Sequence, residues 1–327
     1  MSQFKVFVTR EIPRAGLDLL GTRCEFTVGS YEEKPLAEAE IRNGLKGADA
    51  LLCLLTERIT REILSDCHVK IVANAAVGYD NIDVKAATEL GIPVTNTPGV
   101  LTETTADFAF SLLMSSARRI AEADRFVRAG KFTGWGMMML LGNDVYGKTL
   151  GIVGMGRIGR AVAKRGKGFG MKIVYTDQAR NPEAEAELGA EFVSKETLFR
   201  SADFVSLHVP LTPETRHFVG AAEFALMKPT SHLINTARGP VVDEQALLQA
   251  LKDRKIAGAG LDVYEREPQV TAGLMELDNV TLAPHLASAS VETRSRMATM
   301  AVENIFAVMD GRRPPNLVNP DVYAARG

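Results

Sequence analysis

Disulfides, a membrane-spanning run and a charge suited to nucleic acid are all missing from this sequence. Its 327 residues hold three cysteines, Cys24, Cys53 and Cys67. An odd, sparse set makes no disulfide framework, and no Cys-x-x-Cys or Cys/His spacing suits a metal. No metal site is expected, and a reducing compartment fits best. No apolar stretch reaches the length of a bilayer span. The N-terminus has no basic segment followed by an apolar one, so no secretory leader is read and the cytoplasm is the expected location. The formal net charge of −2 gives no electrostatic case for nucleic acid or an anionic membrane. A small anionic substrate would therefore need a local basic pocket.

What is present is ordinary globular composition, with 46% apolar and 24% charged residues, on a chain longer than one core usually serves. Two domains are expected. In the first hundred residues strand-like and helix-like segments alternate. Lys5 to Thr9, Glu25 to Val28, Ala50 to Leu55, Ile71 to Ala76 and Ile92 to Thr95 read as strands, and Arg14 to Leu20, Leu36 to Leu45 and Arg61 to Asp66 as helices. Ala50 to Leu55 is apolar throughout, as a parallel strand buried on both faces should be. Pro98-Gly99 breaks the pattern. Thr102 to Ala129 then reads as one helix, apolar nearly all round between Ala106 and Met114, so it should bury against a domain junction or a second subunit. A second alternation starts at Thr149, with strands in TLGIV, KIVY, FVSLHV, HLINTA, AGAGLDV and VTLAPH, and a last helix runs from Val291 to Met309. Both alternations imply α/β architecture with parallel sheets covered on both faces.

Gly154-Met155-Gly156-Arg157-Ile158-Gly159 follows the strand Thr149 to Val153 and opens a helix. In that setting each glycine has a mechanical reason: Gly154 for a tight turn, Gly156 for backbone approach to a pyrophosphate, Gly159 for close helix–strand packing. The helix start offers unpaired N–H groups and a positive dipole end to phosphates. The next strand ends at Asp177, 18 positions beyond Gly159. A carboxylate there accepts hydrogen bonds from ribose hydroxyls and repels a 2′-phosphate, which favours NAD(H). Arg180 nearby leaves NADP(H) open, and a plain turn cap is the alternative role for Asp177.

Arg238, Glu267 and His285 fall at or just beyond the carboxyl ends of expected strands, where ligands of open α/β sheets bind. Their chemistry is complementary. The Arg238 fork can hold a carboxylate and polarise a carbonyl oxygen. His285 can deliver a proton to that oxygen as hydride arrives at the carbon. Glu267 beside it would favour the imidazolium and orient the ring.

With these residues in place, the chain resembles the D-isomer-specific 2-hydroxyacid dehydrogenases, and within them the glyoxylate/hydroxypyruvate reductase branch. The matching segments are AAVGYDNIDV (75–84), GWGMMMLLGNDVYGKTLGIVGMGRIGRAVAKR (134–165), HVPLTPETRHFV (208–219), INTARGPVVDEQAL (234–247), AGAGLDVYEREP (257–268) and LAPHLASAS (282–290). The resemblance runs along essentially the whole chain. It implies two doubly wound parallel-sheet domains: a Rossmann NAD-binding domain (residues 100–287) with dimerisation elements, inserted in a flavodoxin-like substrate-binding domain made of residues 1–99 and 288–327. It implies NAD(H)-dependent reduction of a small 2-oxo acid, glyoxylate or hydroxypyruvate, to the D-2-hydroxy acid, with Arg238, Glu267 and His285 as catalytic residues. Backbone N–H groups at Val77 and Gly78 would bind the substrate carboxylate. Thr236, Ala237 and Asp262 would line the nicotinamide side. It also implies a homodimer, with the helix after Pro98 and the loop around Trp135 at the interface and Trp135 reaching the partner's active site. One departure is Leu286-Ala287, where the family commonly has Ile-Gly; a Cβ at position 287 would crowd the nicotinamide amide.

Other residues read as structural. His68, His217 and His232 lack partnered spacing, and His208 is given a packing or hydrogen-bonding role. Met137 to Met139 read as interface or pocket filling, and Arg118-Arg119 as dipole partners late in a helix. Glu267 argues against formate oxidation, for which glutamine is usual at that place. An NADH-sensing corepressor-like regulator, or a D-lactate, D-glycerate or phosphite dehydrogenase on the same scaffold, are the competing readings.

Overall fold

The computed structural model describes residues 3–326. The chain divides into two compact units, Met1–Leu101 with Ala289–Gly327, and Thr102–Ser288. The first unit carries five parallel strands: β1 (Lys5–Val8), β2 (Glu25–Val28), β3 (Ala50–Cys53), β4 (Val72–Asn74) and β5 (Val94–Thr95), in spatial order β2-β1-β3-β4-β5. This is the flavodoxin-like order, whose switch point lies between β1 and β3. All four residues of β3 are buried, because helices cover both faces of the sheet. One covering helix, Val291–Met309, comes from the far end of the chain, and it lies so close to helix Arg14–Gly21 that a Cβ on Gly16 would stand 2.6 Å from the Cβ of Ala298.

The second unit carries seven parallel strands: β6 (Thr149–Val153), β7 (Lys172–Thr176), β8 (Glu191–Phe192), β9 (Phe204–Leu207), β10 (His232–Asn235), β11 (Gly258–Leu261) and β12 (Val280–Leu282). Their order, β12-β11-β10-β9-β6-β7-β8, is that of a Rossmann sheet extended by one strand, with its switch point between β6 and β9. The two-residue edge strand β8 has both side chains exposed and leaves no hydrophobic period to read in the sequence.

Two expectations need correction. The run after Pro98 is two helices, Thr102–Ala117 and Ile120–Arg128, broken where Arg119 adopts φ +55°. Arg119 is therefore the left-handed residue that precedes the second helix, bonded to Glu122 at 2.6 and 2.7 Å, and not a member of a helix's last turn. The apolar helix Thr102–Ala117 is buried inside its own unit, with Ala106, Ala109, Leu112 and Leu113 packed in the core beside β6, β7 and β10 residues. Glycines make that approach close: a Cβ on Gly260 of β11 would lie 3.0 Å from the Cβ of Leu112. Among the described residues no helix is long and apolar enough to cross a membrane. All three cysteines are unpaired.

Candidate active site

The turn after β6 shows three different uses of glycine. Gly154 has φ +91°, and a Cβ there would lie 2.8 Å from the His208 carbonyl oxygen. A Cβ on Gly159 would meet the Gly154 carbonyl oxygen at 2.0 Å, so this glycine sets how tightly helix Arg157–Gly168 lies on its strand. Gly156, at the N-cap of that helix, has nothing within 4 Å of its Cβ position. No side chain caps this helix, so its first-turn N–H groups face an open approach.

Asp177, just past β7, is brought beside the turn. Its Oδ2 accepts from the Met155 N–H at 2.7 Å and its Oδ1 from the Gln178 N–H at 2.7 Å. The residue is exposed, and each oxygen keeps a lone pair for a further donor. Arg180, the basic residue nearest in sequence, is engaged by Glu185 at 3.0 and 2.7 Å. Glu185 also accepts from the Tyr175 hydroxyl, and the Arg180 hydrogen bond holds its carboxyl below the ordinary range. Thr236, at the end of β10, has a buried hydroxyl with no hydrogen-bond partner. An open helix start, an exposed carboxylate at the ribose position and an orphaned hydroxyl together fit a nicotinamide dinucleotide.

Arg238 follows β10 on a turn braced by the buried Asn235, whose Oδ1 accepts from the Ala237 N–H at 3.0 Å and whose Nδ2 donates to the Arg238 carbonyl at 3.0 Å. The Arg238 Nη1 donates to the Ala237 carbonyl at 2.8 Å. Gly239 has no room for a side chain, because its Cβ would lie 1.9 Å from the carbonyl oxygen of Tyr264. That contact presses the Arg238 turn against the segment leading to Glu267.

His285 Nδ1 lies 2.9 Å from Glu267 Oε2, and Glu267 Oε1 accepts from the Tyr264 N–H at 3.0 Å. Burial pushes the Glu267 carboxyl up, but the hydrogen bond and charge of His285, the Tyr264 N–H and the Arg238 charge outweigh it, so Glu267 stays below its ordinary value. With Nδ1 committed to a carboxylate, Nε2 is the nitrogen left for chemistry.

His285 adopts φ +57°, an uncommon conformation for a non-glycine residue. Asp262 holds it there. Its carbonyl accepts from the His285 N–H at 2.9 Å, and its carboxylate oxygens accept from Leu286 N–H at 2.6 Å and Ala287 N–H at 2.8 Å. The Asp262 carboxyl is fully buried, and both its oxygens brace the turn that presents His285. Burial raises this carboxyl above the usual carboxylate range, against the pull of the two N–H donors and of His285. Ala287 is itself buried and bonded into this turn. Asn235 and this bracing role of Asp262 escaped sequence reasoning, since neither has a spacing signature.

In the first unit, Val77 and Gly78 lie in the loop after β4. The carbonyls of Ala76, Val77, Gly78 and Tyr79 are all engaged, by the Thr97 N–H (2.9 Å), Asn96 Nδ2 (2.8 Å), Asn74 Nδ2 (2.8 Å) and the Ile82 N–H (3.0 Å). Within this unit, among the described residues, the N–H groups of Val77, Gly78 and Tyr79 have no acceptor. Consecutive unpaired N–H groups form an anion-binding nest.

The remaining histidines divide by burial. His208 is bonded to Ser206 Oγ at 2.8 Å, and burial lowers its pKa to about 3. His232 is bonded to Ser116 Oγ at 2.8 Å, stacks on Phe204, and burial lowers it to about 4. Both are neutral structural groups at ordinary pH. His217 pairs with Glu265 at 2.9 Å. Trp135 is 78% exposed, and Met137, Met138 and Leu141 beside it are also exposed.

Residues 110–287 match the family model described as D-isomer specific 2-hydroxyacid dehydrogenase, NAD binding domain. The chain is 57% identical over 325 residues to a glyoxylate reductase of Korarchaeum cryptofilum, covering 98% of each protein. Among solved structures it is similar to the TT0316 protein of Thermus thermophilus, with 44% identity, a TM-score of 0.91, and coverage of 96% of this chain and 100% of that one. It is also similar to an NADPH-dependent glyoxylate/hydroxypyruvate reductase of Sinorhizobium meliloti, solved with NADP and malonate, at 33% identity and a TM-score of 0.87 over 98% of both chains. Sheet order, glycine turn, paired His285 and Glu267, and these likenesses along the whole chain agree: the protein belongs to the D-isomer-specific 2-hydroxyacid dehydrogenase family.

Proposed function

We propose that the chain reduces a small 2-oxo acid to the D-2-hydroxy acid, with hydroxypyruvate giving D-glycerate or glyoxylate giving the achiral glycolate, and with NAD(H) preferred over NADP(H). The observation that carries this reading is the 2.9 Å pairing of His285 Nδ1 with Glu267, in the unit that holds the dinucleotide turn and Arg238. A bound nicotinamide dinucleotide supplies the hydride. Arg238 holds the substrate and polarises its carbonyl. His285 gives the proton on Nε2 to the carbonyl oxygen in reduction and, neutral, removes the hydroxyl proton in oxidation. Glu267 accepts the hydrogen bond of the Nδ1 proton and so keeps the ring oriented. The N–H groups of Val77 and Gly78 serve the substrate carboxylate. Gly154, Met155, Gly156, Arg157, Ile158 and Gly159 serve the pyrophosphate, Asp177 the adenosine ribose, and Thr236, Ala237 and Asp262 the nicotinamide side. Residues 1–99 and 288–327 form the substrate-binding domain and 100–287 the NAD-binding domain.

A homodimer in the cytoplasm accompanies this reading. Trp135, Met137, Met138 and Leu141 form an exposed apolar surface suited to a second copy of the chain, and Trp135 would reach the partner's site. The cofactor preference rests on Asp177, with Arg180 neutralised by Glu185.

Steady-state reduction of glyoxylate, hydroxypyruvate and pyruvate, followed with NADH and then NADPH, tests the proposal. Faster turnover of glyoxylate or hydroxypyruvate with NADH supports it. Turnover with NADPH alone overturns the cofactor assignment. Tight NADH binding with no acid reduced overturns the reaction and favours a nucleotide-sensing regulator.

A further inference from the structure

Glu244 is the first residue of helix Glu244–Lys252, and it is buried. Two acceptor contacts occupy its carboxylate: Oε1 takes the Glu265 N–H at 2.5 Å and Oε2 takes the Thr271 hydroxyl at 2.5 Å. Neither partner is a cation. A carboxylate removed from water and held, among the described residues, by neutral donors is costly to bury.

The place of the two contacts explains what the carboxylate does. Between them the chain makes a tight turn, closed by the Gln269 N–H on the Arg266 carbonyl at 2.9 Å. Glu267 sits on this turn. Glu244 therefore bridges the two ends of the short segment that carries the partner of His285. Two further contacts fix the same base. The Glu265 carboxylate lies 3.5 Å from the Glu244 N–H and is paired with His217 at 2.9 Å on its other oxygen. Gly239, beside Arg238, packs against the Tyr264 carbonyl and the Glu265 nitrogen with no space for a Cβ.

We propose that Glu244 is a positioning residue for the reaction: its carboxylate clasps residues 265 and 271 and so sets where Glu267 meets His285. The inference rests on the reading of Glu267 and His285 given above. Glu244 touches neither substrate nor cofactor and acts through the turn. A displacement of about 1 Å in such a partner can cost on the order of a hundredfold in rate.

Three variants and one control test this. Glu244→Ala removes both contacts. Glu244→Gln keeps them, because its amide oxygen accepts the Glu265 N–H while its amide nitrogen donates to the rotatable Thr271 hydroxyl. Thr271→Val removes one contact and leaves the carboxylate in place. Glu267→Gln is the control for the underlying reading. For each, kcat, KM, NADH affinity and the pH profile of kcat are measured.

The clasp predicts that Glu244→Ala lowers kcat at least about tenfold with NADH affinity unchanged. It also predicts that the acid limb moves to higher pH. Glu267 is held low by His285, so its contribution is lost as pH falls through that depressed value, and a loosened pairing brings the loss on earlier. Glu244→Gln stays within about twofold of the parent and Thr271→Val falls between. If Glu244→Ala does not fold, Thr271→Val and Glu244→Gln still decide, since unchanged kcat and profile in Thr271→Val would overturn the clasp. A slowed Glu267→Gln beside an unaffected Glu244→Ala would overturn this inference alone. An unaffected Glu267→Gln would overturn the reading beneath it.

Discussion

The two units are built on one plan and treat the same place oppositely. Each is a doubly wound parallel sheet whose strand order reverses once, beside β1 in the first and beside β6 in the second. In the second unit that switch point is left open by glycines. In the first, the turn after β1 has no glycine, and the space is filled. Glu57, buried beyond β3, takes the Arg10 Nε at 2.8 Å, the Thr9 hydroxyl at 3.1 Å and the Leu54 N–H at 2.9 Å. Arg10 bonds onward to the Glu33 carbonyl and the Thr56 hydroxyl. An architecture that suits a nucleotide is thus closed to one by a buried ion pair, and function lies in the loops and not in the sheet.

The largest effect that would break this contrast is expected on the filled side. Glu57→Ala leaves Arg10 buried without its partner and should cost about 3–5 kcal/mol in a urea unfolding measurement, with NADH affinity under native conditions unchanged. Loss of NADH binding would show that the plug is not separate from the open site. On the open side, Arg238→Ala should lower kcat/KM by about 10²–10³-fold, because a charged donor to the carbonyl oxygen is lost. Circular dichroism and NADH affinity should stay as in the parent.

The glycines sharpen the comparison within the open turn. Gly159→Ala drives a Cβ into the Gly154 carbonyl and should cost about 1–3 kcal/mol of stability. Gly156→Ala meets open space, so its melting temperature should not move while NADH affinity falls roughly tenfold, about 1.4 kcal/mol. Equal stability losses in both would contradict the separate roles. An effect of similar size concerns cofactor choice: Asp177→Ala should narrow the NADH-over-NADPH ratio of kcat/KM by about tenfold, by removing a carboxylate that repels the 2′-phosphate.

Much of this was legible because it is local. The glycine turn and Asp177 lie within one strand–helix–strand unit, and Arg238, Glu267 and His285 each follow a strand with a clear apolar run. The supporting residues were not legible, for a physical reason. Glu244 meets residues 265 and 271, Asp262 meets residues 286 and 287, and Asn74 and Asn96 meet the carbonyls of Gly78 and Val77. A sequence carries no sign of such partners, and only the fold shows these polar residues spent on backbone groups and, for Glu244, on the Thr271 hydroxyl as well. The break at Arg119 was hidden likewise, since a positive φ on arginine leaves no signature. The burial of helix Thr102–Ala117 in its own unit depended on glycines in β11, far along the chain.

The central claim is that His285, oriented by Glu267, moves the proton. The most direct test compares kcat for glyoxylate reduction by His285→Ala with that of the parent, alongside NADH affinity and melting temperature for both. The account predicts a loss of about 10²–10⁴-fold in kcat with the other two unchanged. A variant that keeps near-parental kcat would contradict it.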